Sequence, residues 1–255
     1  MIKFSNEEGF IKPIGLNFRE GQNENIKLPE VAVGVFSRQL YEDIIKKFNS
    51  LEVGYFLSTN LERNVYIIKY KEMEITFFMA GVGGPMIAAD IEDLVKMGVK
   101  KFIIFGNCGV LDKNIEDCSI IIPTKAFRDE GTSQHYVPDS DDIELNTKYQ
   151  EEFISVLKEY NFDYTKGYTW TTDAIYRETP EKIAYFKNKG AVCVEMEGAT
   201  IAAVCKRNDV EHFTFYYAGD NLDGVEWDAR SINGNVNLEK KKLVANLALE
   251  LATAI

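Results

Sequence analysis

Apolar positions along the chain follow two different periods. Consecutive β-branched and aromatic residues, such as VAVGVF at 31–36 and KFIIFGN at 101–107, are typical of strands buried on both faces of a sheet. Elsewhere apolar residues recur every three or four positions, as at Leu40, Ile44 and Phe48, which indicates helices with one buried face. The pattern therefore predicts strands that alternate with helices.

These periods assign most of the chain to elements. Predicted strands cover residues 31–36, 52–58, 64–70, 74–82, 101–107, 118–127, 167–174, 191–196 and 213–219. Predicted helices cover residues 38–49, a segment that begins at Pro85, and residues 146–159, 180–188, 198–207 and 238–253. Pro123 favours a sheet edge or a bulge, because proline cannot donate to a strand ladder. This order predicts an α/β fold with a central, mixed, mostly parallel sheet flanked by helices.

The domain organisation follows from where this alternation starts. Residues 1–30 are polar, with little periodicity, and we expect them to form an N-terminal arm. Residues 31–255 contain no internal repeat, no low-complexity tract and no linker, so they predict one domain. A chain of 255 residues is long enough to bury one large core.

Charge and composition narrow the functional classes. Asp and Glu number 40 against 29 Lys and Arg, and the resulting net charge of −11 excludes nucleic acid and anionic membranes as expected partners. We see no signal peptide at the start and no apolar stretch of the ~18 residues that a membrane helix needs. The four cysteines lack CxxC spacing and there are only two histidines, which predicts reduced thiols, no metal site and a cytoplasmic location.

Residues that could take part in ligand binding or catalysis lie where predicted strands end, which is where ligands bind in α/β sheets. Glycines lie in the turn MAGVGGP and around Asn107 in FGNCG, where backbone N–H groups could approach an anion or simply form a turn. Another strand ends in EMEG, at 195–198, whose two carboxylates are costly to bury unpaired. Asp220 follows the apolar FTFYYAG. Each carboxylate is either functional or part of a structural pair.

Together, the segments VEMEGATIAAVC, GVGGP, GNCG and DEGTSQHY resemble the nucleoside phosphorylases that include uridine phosphorylase and the bacterial-type purine nucleoside phosphorylase. The resemblance runs from about Val31 to the C-terminal helix. It implies a pentosyltransferase that cleaves the N-glycosidic bond of a nucleoside with phosphate, giving the free base and ribose 1-phosphate. It also implies no cofactor, phosphate as co-substrate, and a homo-oligomer, from dimer to hexamer, with shared active sites.

The resemblance also implies roles for individual residues. Glu197, Met196 and Glu195 correspond to the ribose site, where Glu197 accepts hydrogen bonds from the sugar hydroxyls. Asp220 stands where the purine enzymes carry the general acid, and Arg230 would assist it. The residues expected to contact the base are Cys108, Gly109, Ile175, Tyr176 and Asp220.

The phosphate site departs from the family pattern. The implied ligands are Gly34, Arg38, Asn107 and, from a neighbouring subunit, Arg63. The usual Gly-Asp-Pro-x-Arg loop reads GVFSR here, and Ile104 replaces a family arginine, which removes a charge-assisted clamp. Phosphorolysis of a purine nucleoside is the main hypothesis. The alternatives are a uridine phosphorylase, a nucleosidase that uses water, and a nucleoside-binding protein without turnover.

Overall fold

Strands and helices alternate along the chain as the apolar periods predict. The computed structural model describes residues 4–59, 61–232 and 236–255, so residues 1–3 of the predicted arm lie outside the described residues. The strands in these ranges are β1 (Val31–Val35), β2 (Ser50–Ser58), β3 (Leu61–Tyr70), β4 (Met73–Met79), β5 (Lys101–Val110), β6 (Ile120–Asp129), β7 (Asp142–Glu144), β8 (Tyr164–Thr172), β9 (Ala191–Glu195) and β10 (Glu211–Asn221). The helices are α1 (Arg38–Lys47), α2 (Gly84–Lys96), α3 (Ser133–Tyr136), α4 (Gln150–Glu159), α5 (Pro180–Asn188), α6 (Gly198–Arg207) and α7 (Leu238–Ala254), with a 3₁₀ turn at Ile175–Arg177.

The strands form one mixed sheet that partly closes on itself. Strand β5 pairs in parallel with β1 and β10, and its last two residues pair antiparallel with β9. Strands β10, β6, β8 and β9 then complete a ring with β5, while β1, β4, β3 and β2 extend the sheet away from it. The parallel pairs lie at the centre, and the hairpins β2–β3–β4 and β6–β7 are antiparallel. The predicted α/β fold with a mixed sheet is confirmed.

Helices cover both faces of the central strands. Val33 and Phe105 point into one core, which also contains side chains of α1, α4 and α7. Their neighbours Ala32 and Ile104 point into a second core with side chains of α2 and α6. Because successive strand residues face opposite sides, continuous apolar runs are required in both β1 and β5.

Short or irregular elements are where sequence and structure differ. Of the two possibilities predicted for Pro123, a sheet edge or a bulge, the structure shows a bulge, since the register between β6 and β8 shifts between Pro123 and Lys125. The sequence did not predict strand β7, helix α3 or the 3₁₀ turn, because segments of three or four residues are too short to show a period. Residues 4–30 contain only an isolated bridge, from Asn17 to Tyr55, and bury Leu16 and Leu28 against the domain.

A buried ion pair joins β3 to the middle of α2. The guanidinium of Arg63, with 4% of the side chain exposed, donates to both carboxylate oxygens of Asp90 at 2.5 and 2.6 Å and to the carbonyl of Met79 at 2.9 Å. Asp90 also accepts the N–H of Gly81 at 2.8 Å. A Cβ at Gly81 would come within 2.7 Å of Met86, so glycine is required at this turn.

We expect this pair to contribute strongly to stability. Arg63→Met should lower the free energy of unfolding by about 3–5 kcal/mol, because it leaves the Asp90 carboxylate buried without its partner. Urea unfolding at pH 7 measures the change. The control is Lys46→Met, which breaks the exposed pair with Glu42 and should have no measurable effect. A similarly small effect of Arg63→Met would contradict the expectation.

Candidate active site

A cavity of about 740 Å³ lies where the carboxyl ends of β5, β9 and β10 meet. The structure brings all of the predicted sugar-binding and base-binding residues to its wall, together with the predicted phosphate ligand Asn107. These are Asn107, Cys108, Gly109, Ile175, Tyr176, Glu195, Met196, Glu197 and Asp220. They come from segments far apart in the sequence, so the closure of the sheet creates the site.

A bulge near the end of β10 positions Asp220. Ala218 pairs with Cys108 and Asp220 pairs with Gly109, so Gly219 is an extra residue in the ladder. Such bulges change the direction of the side chain that follows. A Cβ at Gly109 would lie 2.4 Å from the Leu222 side chain and 3.3 Å from the Asp220 carboxylate, so a larger residue there would displace these side chains.

The surroundings of Asp220 suit a proton donor. Asp220 is 7% exposed, and its carboxylate accepts the indole N–H of Trp227 at 2.7 Å. Burial raises the pKa of Asp220, while the Trp227 hydrogen bond and the positive charge of Arg230 oppose this shift. A carboxyl group with a raised pKa holds its proton closer to neutral pH, as general acid catalysis requires.

The turn from β9 into α6 holds two buried glutamates with different surroundings. Glu195 accepts hydrogen bonds from the hydroxyls of Thr169 and Thr171, at 3.1 and 2.6 Å. It also accepts the N–H groups of Glu197 and Gly198, at 2.7 and 2.6 Å. Because a carboxylate has about four acceptor positions, these donors occupy it fully. Glu195 therefore positions the start of α6, which revises its predicted role as a ribose ligand.

Glu197 is the buried glutamate with fewer donors. It accepts the N–H of Gly83 at 2.6 Å, and Gly83 has a φ of +87°, which glycine adopts readily. Burial, together with the negative charge of Glu195, raises the pKa of Glu197 to about 8. Met196 lies beside it on the cavity wall. The pair thus offers a carboxyl and an apolar thioether side by side.

Comparison with known proteins identifies the family. A family model described as the phosphorylase superfamily matches residues 30–255. The chain belongs to the phosphorylase superfamily. Its fold is similar to that of a purine nucleoside phosphorylase from Toxoplasma gondii, with a TM-score of 0.77 over 97% of this chain and 98% of that one, at 18% identity. A uridine phosphorylase from Vibrio fischeri gives a TM-score of 0.75 over 90% and 93%, at 21% identity.

Curated relatives of this phosphorylase-superfamily chain carry different names. A guanosine phosphorylase of Halorubrum lacusprofundi is 27% identical over 59% of this chain and 63% of its own length. A uridine phosphorylase of Thermococcus kodakarensis is 36% identical over 42% of this chain and 39% of its own length. The matched part thus spans less than two thirds of either relative.

Three of the four predicted phosphate ligands of this superfamily member do not line the cavity. Gly34 lies inside β1, where a Cβ would come within 2.5 Å of the Phe78 ring, so packing explains the glycine. Arg38 is exposed at the first residue of α1, and its side chain contacts no described partner. The Arg63 guanidinium is held within its own chain by Asp90, which corrects the expectation that it reaches a neighbouring subunit's site.

Arg230 also lies outside the cavity wall of this superfamily member. Its guanidinium donates to the carbonyl oxygens of Ile115 at 2.7 Å and Lys113 at 3.4 Å, in the loop after β5. It therefore acts on Asp220 only through its charge, which lowers the pKa of that carboxyl. Stabilising the carboxylate through charge is the assistance predicted for Arg230, and the structure places its source outside the cavity wall.

Among the residues of the phosphorylase-superfamily site that were not predicted, two bear directly on Asp220. Trp227 holds Asp220, and Glu178 lines the cavity between the 3₁₀ turn and α5. Both belong to irregular segments without apolar periodicity. A tryptophan seven residues beyond the strand-end Asp220, in the otherwise polar stretch after β10, is the one sequence feature that could have drawn attention to it.

In residues 4–59, 61–232 and 236–255, no group of three or more His, Cys, Asp or Glu side chains is arranged to hold a metal ion. Within the same part of this phosphorylase-superfamily chain, no helix combines the length and apolar character needed to cross a membrane.

The raised pKa of Glu197 predicts a pH-dependent stability. Since its pKa is about 8 when folded and 4.5 for a free glutamate, its contribution to stability is complete below pH 4.5 and is lost as pH rises through 8. Glu197→Gln should remove this loss, so the variant should gain about 2–5 kcal/mol relative to wild type between pH 5 and pH 9. Urea unfolding at both pH values measures it. The exposed Glu181→Gln is the matched control, and parallel pH profiles of all three proteins would contradict the assignment.

Proposed function

We propose that this protein cleaves the N-glycosidic bond of a purine nucleoside and transfers the ribosyl group to phosphate. One observation carries the proposal: Asp220, a buried carboxyl with a raised pKa, shares a cavity with the Met196–Glu197 pair. This combination supplies a proton donor for the base and a hydrogen-bonding platform for the sugar.

The steps follow from these groups. As the C–N bond stretches, positive charge develops on the ribosyl ring and negative charge on the departing base. Glu197 accepts hydrogen bonds from the ribose hydroxyls and Met196 packs against the sugar, which holds the anomeric carbon in place. Asp220 gives its proton to N7 of the purine, and phosphate attacks the opposite face of the sugar. Positioning and charge stabilisation suffice for these steps, so we propose that no cofactor takes part.

The choice of a purine rests on Asp220. Relatives named for guanosine and for uridine both match the chain, so names alone do not select a base. A purine leaving group needs a proton at N7, and Asp220 is a buried cavity carboxyl that accepts the indole N–H of Trp227. That environment supports the purine assignment over uridine.

Phosphate remains the less supported substrate, and one observation favours water instead. No described residue along the cavity wall is a lysine, arginine or histidine, whereas five are aspartate or glutamate. Such a wall repels an anion. Arg38, at the carboxyl edge of β1 and without a described partner, is the cation that we propose for phosphate, together with Asn107. Ile104, which replaces the family arginine, is fully buried.

Assembly and location stay predictions. With Arg63 paired inside its own chain, the expectation of a homo-oligomer with shared sites rests on the family resemblance. The cytoplasmic location likewise rests on composition.

The nature of the acceptor has a direct test. We expect inosine and guanosine to be cleaved only when phosphate is present, with ribose 1-phosphate as the product, and Arg38→Met to raise the KM for phosphate. Product analysis by chromatography shows whether phosphate or water accepts the ribosyl group. Free ribose, formed at equal rates with and without phosphate, would establish hydrolysis in place of phosphorolysis.

The role of Asp220 has a separate test. Asp220→Asn should lower turnover of inosine by about 10²–10⁴, the range typical of a lost general acid. The same variant should lose far less on 7-methylguanosine, because that base is cationic before it departs. Steady-state kinetics on both substrates measure the contrast. An equal loss on both substrates would show that Asp220 only stabilises the loop.

A further inference from the structure

Tyr216 is a buried tyrosine whose hydroxyl has no hydrogen-bond partner among the residues that the structure describes. It lies in β10, on the same strand as Asp220, and is only 1% exposed. Its ring belongs to a small apolar cluster with Cys108 and Cys193 and to the inner wall of the cavity. A phenylalanine would fill the same space without burying an unpaired hydroxyl, so packing alone does not explain the tyrosine.

The hydroxyl of Tyr216 lies beside the carboxylate of Glu195, at the start of α6. A Cβ at Gly198 would be 2.7 Å from the Tyr216 hydroxyl and 2.9 Å from Oε1 of Glu195, so both oxygens border the same small space. Glu195 accepts four hydrogen bonds, and the longest of these, at 3.1 Å, comes from the hydroxyl of Thr169. Tyr216 is therefore an additional donor next to a carboxylate whose acceptor positions are all occupied.

The charged groups that act on Glu197 are acidic. Burial, together with the negative charges of Glu195 from β9 and Asp173 after β8, raises its pKa to about 8. The N–H of Gly83, in the turn before α2, opposes this shift. A carboxylate has more acceptor positions for sugar hydroxyls than a protonated carboxyl. Any group that offsets the charge of Glu195 therefore helps Glu197 to bind ribose at neutral pH.

Tyr216 has the chemistry to offset that charge. Burial, the two glutamates and the neighbouring Cys193 thiol raise the pKa of the Tyr216 hydroxyl, which therefore keeps its proton at neutral pH. A phenol has a more acidic proton than the aliphatic hydroxyl of Thr169, so it is the stronger hydrogen-bond donor. A hydrogen bond to an ionised carboxylate stabilises the ionised form.

We propose that Tyr216 is a positioning residue for the ribose site, whose hydroxyl turns to Glu195 when a nucleoside binds. It takes the place of the Thr169 hydroxyl and offsets the charge of Glu195, and Glu197 then accepts the ribose hydroxyls as a carboxylate. This inference rests on the proposed function, in which Glu197 binds the sugar. Tyr216 keeps its proton throughout, and no covalent bond forms or breaks.

The pH dependence of nucleoside binding tests this role. The probe is 9-deazainosine, in which a carbon–carbon bond that neither phosphate nor water can cleave joins the base to the ribose. Tyr216→Phe removes the donor beside Glu195, so the pKa of Glu197 should rise further. Isothermal titration should give a Kd about tenfold weaker than that of wild type at pH 7. The two Kd values should converge at about pH 9.5, where Glu197 is ionised in both proteins.

A control ligand and a control variant make the result specific. Hypoxanthine, a base without the sugar, should bind wild type and Tyr216→Phe equally at both pH values. Tyr217→Phe removes the hydroxyl of the next residue, whose ring packs in the core on the other side of β10, and should leave the Kd of both ligands unchanged. Thermal melts should show Tyr216→Phe to be at least as stable as wild type, because the variant loses only an unpaired buried hydroxyl.

The outcomes separate this inference from the proposed function. Unchanged binding of 9-deazainosine by Tyr216→Phe at pH 7, or an equal loss at both pH values, would overturn the role of Tyr216. An equal loss of hypoxanthine binding, a destabilised Tyr216→Phe or a wild type that binds no 9-deazainosine would overturn it as well. A loss confined to the lower pH would support it even if no ribosyl group is transferred. In that case the proposed transfer reaction alone would fail.

Discussion

The site depends on how β5 shares its edge. Strand β1 pairs with β5 only as far as Phe105, and β9 takes the same edge at Gly109 and Val110. The residues between these two pairings, Gly106–Cys108, have no described strand beside them on this edge of β5. Asn107 and Cys108 line the cavity there. Because β10 stays paired along the other edge of β5, the opening is held by a rigid strand and not by a loop.

Small residues let the other elements approach this opening. The bulge at Gly219 and the absence of a side chain at Gly109 bring Asp220 against β5. Gly198 allows the start of α6 to pack beside Tyr216, whose hydroxyl would be 2.7 Å from a Cβ at that position. These close contacts fix the carboxylates relative to one another before any ligand binds, which is the preorganisation that catalysis requires.

The carboxylates that line the cavity differ in how far hydrogen bonds within the chain compensate for their burial. Burial raises the pKa of Glu195, Glu197, Asp220 and Glu178, but the chain offsets that cost to different degrees. Glu195 accepts hydrogen bonds from four donors and positions the start of α6. The other carboxylates have acceptor positions left for a ligand. Among the described residues the wall includes no lysine, arginine or histidine, which favours a neutral or donor-rich ligand over an anion. The cavity therefore supports the proposed nucleoside more strongly than the proposed phosphate.

The fold class could be predicted from the sequence, because burial on both faces of β1 and β5 requires continuous apolar runs. Such runs can be recognised in the sequence without knowledge of distant contacts. The strand-end carboxylates Asp220 and Glu197 were predictable for a similar reason, since charges directly after buried strands stand out locally. The lack of an N–H group at Pro123 predicted either a sheet edge or a bulge, and the structure selected the bulge.

Tertiary structure decided what depends on partners distant in the chain. The sequence suggested that the Arg63 side chain was free to bind phosphate, but the structure pairs it with Asp90, 27 residues away. Glu195 and Glu197 are equivalent in the sequence, and only the threonines of β8 and the turn before α2 distinguish them. Trp227 and Glu178 lie in irregular segments, whose positions follow from packing and not from periodicity. Local patterns thus determined which elements form, while the three-dimensional contacts of each charged group determined what that group can do.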